Sequence, residues 1–273
     1  LEDNYNLLAP DEYIKKVEHF SVQETDLCLT FDDALRCQFD IVYPELQKRN
    51  LKAFFFIYSS VFSADPPPLE FFRDFRLNFF ENVDEYYDLF FNTVKGLHED
   101  QYNVFLENYP TNYLSAFPFY TENDKKYRFL RDLVLKDQYF DLVLKMMKEK
   151  KYSLSDRKQH LFMSTNNLKA LHDSGHTIGL HSDTHPTQMH KLSYESQLEE
   201  YTKNYEFINS IINAEIYSMS HPCGHYNDDT LKILKKLGIK CGFRSSLTPA
   251  CIKSALEIPR EDHTNILNNI KAK

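Results

Sequence analysis

The chain has 273 residues, a net charge of −8 and no run of about 18 apolar residues, so we expect neither a membrane span nor a nucleic-acid-binding surface. Its 42% hydrophobic and 26% charged residues are typical of a soluble globular protein with one large domain or two small ones. Five scattered cysteines without a Cys-x-x-Cys pair favour reduced thiols and a cytoplasmic location. The opening segment LEDNYNLLAP has neither the basic head nor the apolar core of a signal peptide. The sequence does not begin with Met, which is compatible with the removal of a leader.

The first segment of the chain predicts a strand, a helix and a second strand. Residues 26–31, DLCLTF, form a short apolar run that ends at Asp32 and Asp33. Residues 38–51 have helical spacing, and 52–60, KAFFFIYSS, are too continuously apolar to have a wet face. This order indicates a parallel strand pair, with the two aspartates at a carboxyl end.

The middle of the chain changes character after the stiff segment ADPPPLEFF. The pattern is then helical and aromatic, so we predict a helical insertion over residues 64–160 between two parts of one domain, 1–63 and 161–273. We predict two alternatives for its Phe and Tyr stripes. They form the insertion's own core, or they form a surface near the open end of the rest of the domain, where the insertion acts as a lid or joins two copies in a homo-oligomer.

The last part of the chain alternates strands and helices again. In chain order, the predicted segments are a capped helix in STNNLKALHDSG, a strand in HTIGLHSDTH, a helix in SYESQLEEYTKNYEFINSII, a strand and turn in IYSMSHPCGHYN, a helix in DDTLKILKKLG, a strand in IKCGFRS and a last strand in ALEIPREDH. This alternation predicts an α/β fold, barrel-like or doubly wound, in which functional residues gather at the carboxyl ends of the strands.

Polar clusters follow several of these strands and predict a metal site. His181 and His185 lie four residues apart in a loop, and Asp32 and Asp33 end another strand. Two imidazoles and one carboxylate leave metal positions open for water and substrate, while the second carboxylate can serve as a base. Taken singly, the histidines are also compatible with a surface pair, and the aspartates with a helix N-cap.

These motifs resemble those of the NodB-type polysaccharide deacetylases, carbohydrate esterase family four. Thr30–Asp33 matches the family's Thr-Phe-Asp-Asp motif, and His181–His185 matches its His-Ser/Thr-x-x-His motif. Ser220–Gly224, SHPCG, matches in part a third motif, commonly Arg-x-Pro-Tyr-Gly. The resemblance covers roughly residues 24–62 and 160–262 and leaves the insertion outside.

The resemblance implies a distorted (β/α)7 barrel of the NodB-homology type with a large helical insertion. It implies one divalent ion, usually Zn²⁺, with Asp33, His181 and His185 as ligands. Asp32 is then the catalytic base. Cys223, through its backbone N–H, and Tyr226 are assigned to oxyanion or substrate contacts.

The sequence also departs from the family pattern. Ser220 stands where many members have an arginine, and the family's late tryptophan is missing because the chain has no Trp. We expect Arg260 to lie near Asp32 and replace the lost guanidinium, and Asp262 or Arg260 to orient the site. The acid that protonates the leaving amine is predicted to be His263, with His225 as the alternative.

The function expected from this resemblance is a metal-dependent N-deacetylase that hydrolyses the acetamide of an acetylated sugar or oligosaccharide, within surface polysaccharide biosynthesis. One alternative is an O-acetyl esterase or another amide hydrolase of the same fold. A second is a catalytically silent domain that binds glycan or protein, which the missing arginine and tryptophan favour. The complete set of predicted ligands and base argues against a silent domain.

Overall fold

The structure is a computed structural model that describes residues 5–64, 66–115 and 120–271. Within these ranges, the strands form one two-stranded and one five-stranded sheet, and all pairings are parallel. The strands are β1 (Asn6–Leu7), β2 (Asp26–Leu27), β3 (Leu29–Asp32), β4 (Ala53–Ile57), β5 (Thr177–Leu180), β6 (Ser218–Ser220) and β7 (Cys241–Phe243).

The chain divides into two compact units, which we call the sheet unit (Leu1–Pro67 with Phe162–Lys273) and the helical unit (Pro68–Leu161). The helices of the sheet unit are α1 (Pro10–Glu18), α2 (Tyr43–Lys48), α9 (Thr165–Asp173), α10 (Tyr194–Ile212), α11 (Asp228–Lys236) and α12 (His263–Lys271). Those of the helical unit are α3 (Leu69–Asn78), α4 (Val83–Leu97), α5 (Glu99–Asn108), α6 (Glu122–Phe129), α7 (Gln138–Glu149) and α8 (Leu154–Leu161). None of the helices in the described ranges is both long and apolar enough to cross a membrane.

The five-stranded sheet runs in the order β3-β4-β5-β6-β7, so each strand pairs with the next one along the chain. Its register aligns the strand ends: Asp32 lies opposite Phe56, which lies opposite Gly179, and Ser220 lies opposite Phe243. All five carboxyl ends therefore lie along one edge, where side chains from distant parts of the sequence meet. The predicted α/β fold with a parallel sheet is confirmed.

The centre of the sheet is completely buried. All five residues of β4 are inaccessible to solvent, as expected for a strand that is apolar on both faces. Phe54 and Phe56 contact Phe243 on one face, with ring centroids 5.2 and 5.5 Å away. Gly179 lies so close to the Phe56 ring and the Ser218 hydroxyl that a Cβ atom would overlap both, which explains a glycine inside β5.

Helices of the sheet unit follow their sequence signals. The Ser164 hydroxyl caps α9 by accepting a hydrogen bond from the Asn167 amide, and Gly175 after the helix has a φ of +85°. Pro44 lies in the first turn of α2, where no backbone N–H is needed. A π-helical turn, Gln38–Val42, precedes this helix.

The last predicted strand is much shorter in the structure than the sequence indicated. The segment ALEIPREDH pairs with β7 only through a single parallel bridge between Ile258 and Phe243. Pro259 has no amide hydrogen, so the ladder cannot continue through it. The chain turns instead toward α12, and Arg260 lies between the bridge and this helix.

The helical unit has an interior of aromatic rings. Phe75, Tyr86, Phe90 and Tyr127 are almost completely buried, and the Phe90 and Tyr127 centroids lie 5.0 Å apart. These rings form the unit's own core, the first of the two predicted alternatives. A lid or a homo-oligomer formed through this unit stays a prediction.

Candidate functional site

Three side chains with metal-binding atoms meet at the carboxyl edge of the sheet. Asp33 follows β3, and His181 and His185 lie in the loop after β5. One ligand atom from each of the three lies within 4.8 Å of the others. The Asp33 Oδ1 atom is 3.4 Å from His181 Nε2 and 3.6 Å from His185 Nε2. The structure thus brings together the three residues predicted as ligands.

The donors of this cluster fit a divalent cation. The Nδ1 atom of His181 lies 2.8 Å from the backbone oxygen of Ser220 and donates to it, which directs Nε2 toward Asp33. Asp33 Oδ1 is buried and has no hydrogen-bond partner in the described ranges. A buried carboxylate oxygen without a donor needs a compensating positive charge, and one carboxylate with two imidazoles suits Zn²⁺ and similar ions.

The backbone around these side chains is held in an uncommon conformation. The φ angles are +79° at Asp33, +65° at Ser182, +57° at His185 and +52° at Cys223, all in the left-handed region. Such angles cost about 1 kcal/mol or more for residues with a side chain and gather at functional sites. The loops therefore accept local strain where they bring the ligands together.

Asp32, the predicted base, lies in a network with Arg260 and Ser220. Arg260 donates from Nη1 to Asp32 Oδ1 and from Nη2 to Oδ2, both at 2.8 Å. Its Nη2 also donates to the Ser220 hydroxyl at 2.8 Å, and this hydroxyl donates to Asp32 Oδ2 at 3.2 Å. The guanidinium therefore lies beside Asp32 and contacts the small residue that replaces the family's arginine.

These contacts control the charge of the carboxylates. Burial alone raises the pKa of Asp32, but the charges of Arg260 and His181 and the hydrogen bonds from Arg260 and Ser220 lower this pKa to about 2. Burial also raises the pKa of Asp33, but the histidine partners hold this pKa below its usual value. Both carboxylates are therefore ionised near neutral pH.

Two residues of α10, neither of them predicted from the sequence, hold the histidine loop. Glu200 accepts from the amides of Asp183 and Thr184 at 3.0 and 2.8 Å, and also from the Thr184 hydroxyl at 2.6 Å. Asn204, which is completely buried, accepts from the His181 amide at 2.9 Å. Their spacing of four residues puts them on one face of the helix, a signal that the sequence already contained.

The turn after β6 forms another part of the edge. Cys223 has its positive φ in this turn, and desolvation together with the Asp33 charge raises the pKa of its thiol. Gly224 follows with a φ of +71°, and the Ser245 side chain occupies the space of a Cβ atom. The Tyr226 hydroxyl donates to Glu257 at 2.8 Å, and its ring stacks on His221 at 4.2 Å. The predicted oxyanion and substrate roles of Cys223 and Tyr226 stay predictions.

The two candidate acids are both exposed. His263 begins α12 with a side chain that is 84% exposed, and its Nδ1 atom lies 3.5 Å from Asp262. His225 places Nδ1 2.6 Å from the backbone oxygen of Thr187, and its ring lies 4.9 Å from that of His190. Among the described residues, neither histidine belongs to the cluster of Asp33, His181 and His185, so the identity of the acid stays a prediction.

Part of the chain matches a known protein family. Residues 136–242 match the family model of the polysaccharide deacetylases, a stretch that includes both histidines and the Cys223 turn. No curated protein matches the chain significantly.

Several solved deacetylases have a similar fold. The Streptococcus pyogenes deacetylase PplD, in complex with acetate, is 14% identical with a TM-score of 0.52, over 98% of this chain and 80% of that one. A de-N-acetylase from Aggregatibacter actinomycetemcomitans is 14% identical with a TM-score of 0.52, over 98% and 84%. IcaB from Ammonifex degensii is 12% identical with a TM-score of 0.54, over 99% and 82%.

The fold is the one that the sequence motifs implied. The curled parallel sheet with a helical insertion is the distorted NodB-type barrel predicted from the sequence. The family match and this fold confirm the resemblance of the chain to the NodB-type polysaccharide deacetylases.

Proposed function

We propose that the protein is a metal-dependent N-deacetylase that hydrolyses the acetamide group of an acetylated sugar or oligosaccharide. The observation that carries the proposal is the juxtaposition of Asp33, His181 and His185 with a separate, ionised carboxylate, Asp32. A silent domain has no need for a strained three-donor cluster next to a carboxylate held by a guanidinium. The family match and the acetate complex of the similar PplD structure support the same reaction.

The ligand residues fit one divalent ion, which we propose to be Zn²⁺. When bound, such an ion supplies Lewis-acid chemistry: it activates water and polarises an acyl carbonyl. Asp33, His181 and His185 would hold it, with His181 oriented by the Ser220 backbone oxygen. Glu200 and Asn204 keep the histidine loop in position.

Asp32 acts on the attacking water. Its carboxylate lies near the ligands, with Oδ2 3.8 Å from His181 Nε2, and it stays ionised because Arg260 lowers its pKa. An ionised carboxylate accepts a hydrogen bond from water and takes up its proton as the water attacks the carbonyl carbon. The Cys223 turn is proposed to stabilise the oxyanion, and His263 to protonate the leaving amine.

The substrate is proposed to be an acetylated sugar of surface polysaccharide biosynthesis, handled in the cytoplasm. The test is acetate release from acetylated sugar nucleotides and chitooligosaccharides, with and without a chelator. Release from N-acetylated substrates that a chelator abolishes and Zn²⁺ restores supports the proposal. Release from O-acetylated substrates alone indicates an esterase, and no release from any substrate by the metal-loaded protein indicates a binding domain.

A further inference from the structure

The helical unit contains a cleft that is separate from the carboxyl edge of the sheet. It has a volume of about 600 Å³, within the range of small-molecule sites. Its lining residues come from one face of α3, from α6 and the following π-helical turn (Leu130–Leu135), and from the start of α7. Phe140 lies on this lining and is 46% exposed, so an apolar ring surface is open to a ligand.

The cleft is rich in cations, although the whole chain has a net charge of −8. Two of its arginines have carboxylate partners: Arg73 with Glu70 at 3.0 Å, and Arg131 with Asp132. The other cationic lining residues are Arg76, Arg128 and Lys136. In the described ranges, none of these three has a carboxylate within ion-pair distance.

Three guanidinium groups of the cleft lie near aromatic rings. Those of Arg76 and Arg131 lie 5.2 and 5.4 Å from the centroid of the same Tyr127 ring. The Arg128 guanidinium lies 4.1 Å from the Tyr120 centroid, and its Nε atom is buried without a hydrogen-bond partner in the described part of the chain. The rings hold like charges close together, and such an arrangement is stabilised when an anion binds between them.

We propose that this cleft binds a diphosphate group of a small ligand. Arginine forks match phosphate oxygens in pairs, and a lysine adds a point charge. Five cationic side chains and two carboxylates line the cleft, so a multiply charged anion compensates the excess better than a single carboxylate does. Phe140 provides a face for the organic part of such a ligand. The proposal does not depend on the deacetylase activity, because it uses only residues of the helical unit.

The test is isothermal titration calorimetry with sodium pyrophosphate at constant ionic strength. It uses the full chain carrying Asp33→Ala and His185→Ala, so that pyrophosphate cannot bind a metal ion at the other site. We expect saturation at one anion per chain. Arg128→Gln and Lys136→Gln should each weaken binding about tenfold or more, since each removes a charged contact. Arg128→Lys should give an intermediate affinity, because it keeps the charge and loses the fork.

The matched control is Lys145→Gln, which removes an exposed lysine of α7 outside the cleft and should leave binding unchanged. UDP-N-acetylglucosamine is titrated beside pyrophosphate: equal affinity assigns the site to the diphosphate alone, and tighter binding adds contacts to the organic part. Circular dichroism verifies that each variant is folded. The proposal is overturned by no saturable binding up to about 10 mM, by unchanged affinity in both cleft variants, or by equally tight binding of citrate.

Discussion

Arg260 and Asp32, which are 228 positions apart in the sequence, form a bidentate ion pair with both nitrogen–oxygen distances at 2.8 Å. The same guanidinium donates to the Ser220 hydroxyl and, from Nε, to the backbone oxygen of Arg244 at 2.6 Å. Its position is therefore fixed by several partners, and Asp32 is held in one orientation beside His181.

Replacing Arg260 by alanine should shift the acidic limb of the pH–rate profile to higher pH. The guanidinium lowers the pKa of Asp32, and activity requires the ionised carboxylate, so its removal raises the pH needed for ionisation. Loss of an adjacent arginine typically raises a carboxyl pKa by about 1–3 units. The measurement is acetate release as a function of pH at constant metal saturation.

Arg260→Lys is the matched variant for this experiment. A lysine retains the charge but not the paired geometry, so the limb should move by a smaller amount than in Arg260→Ala. Metal content should be unchanged in both variants. An acidic limb that stays at its original pH in Arg260→Ala would contradict the role of this ion pair.

The metal ligands can be separated from the base by metal analysis. Asp33→Ala and His185→Ala should each lose bound Zn²⁺ after dialysis, because each removes one of three donors. Inductively coupled plasma mass spectrometry gives the metal per chain. Full metal content in both variants would show that the ion, if any, binds elsewhere.

Asp32→Asn should keep the metal and lose activity. The amide keeps the size of the side chain and lacks basicity, so metal content should stay normal while kcat falls by about 10²–10⁴-fold, as for loss of general base catalysis. A variant that loses both metal and activity would mean that Asp32 is itself a ligand. The measurement pairs metal analysis with acetate release.

Glu200 should affect metal affinity without touching the metal. Its carboxylate accepts three hydrogen bonds from Asp183 and Thr184, in the loop between the two histidines. We expect Glu200→Gln to weaken Zn²⁺ binding by about 10–100-fold, the usual effect of losing a residue that supports a ligand. Competition with a fluorescent zinc chelator measures this.

Glu199→Gln is the control for the preceding variant, because Glu199 is the neighbouring carboxylate and forms an exposed ion pair with Lys203. It should leave zinc affinity unchanged, since exposed pairs contribute little. Equal effects of the two variants would show that overall charge, and not loop support, determines affinity.

The helical unit should be destabilised when Asp74 is replaced. Asp74 is buried and accepts two bonds from Arg157 at 2.7 and 2.8 Å and one from Tyr152 at 2.7 Å, which joins α3 to α8. Asp74→Asn should cost about 2–3 kcal/mol of local stability by breaking the charged pair. Hydrogen exchange over residues 68–161 measures it, with the exposed Asp156→Asn as control.

The Asp74 carboxyl should also make the stability of the helical unit depend on pH. Burial acts upward on the pKa of Asp74, but Arg157, Tyr152 and Asn78 hold it below the usual value. The stabilisation is therefore complete above the unfolded value of about 3.9 and is lost as the pH falls through the folded value. Amide protection in the helical unit should decline over this range in the natural protein and not in Asp74→Asn.

His263 remains the predicted acid. Its side chain is 84% exposed and lies 3.5 Å from Asp262, so a hydrogen bond to a leaving amine would form only with a bound substrate. His263→Ala should lower kcat by about 10²–10⁴-fold at normal metal content. A loss of less than about tenfold, with a larger loss in His225→Ala, would transfer the role to His225.

Much of the site could be predicted because strand ends are visible in the sequence. Apolar runs that end in Asp32–Asp33 and before His181 place these residues at one edge of any parallel sheet. The spacing of Glu200 and Asn204 places them on one helix face but does not show what that face contacts, so their supporting roles and the cationic cleft emerged only from the structure. Local sequence also gave no sign that Asp33 and Cys223 adopt positive φ angles, because a tertiary site imposes them.

The long separation of Asp32 from Arg260 sets an order of events during protein synthesis. At about 5–20 residues per second, a ribosome needs roughly 10–50 seconds to make the 228 intervening positions. The helical unit and both histidines are complete within that interval, while Asp32 still lacks the guanidinium that lowers its pKa. The nascent chain therefore contains its proposed metal donors first, and its proposed base reaches its final electrostatic state only after Arg260 has been made.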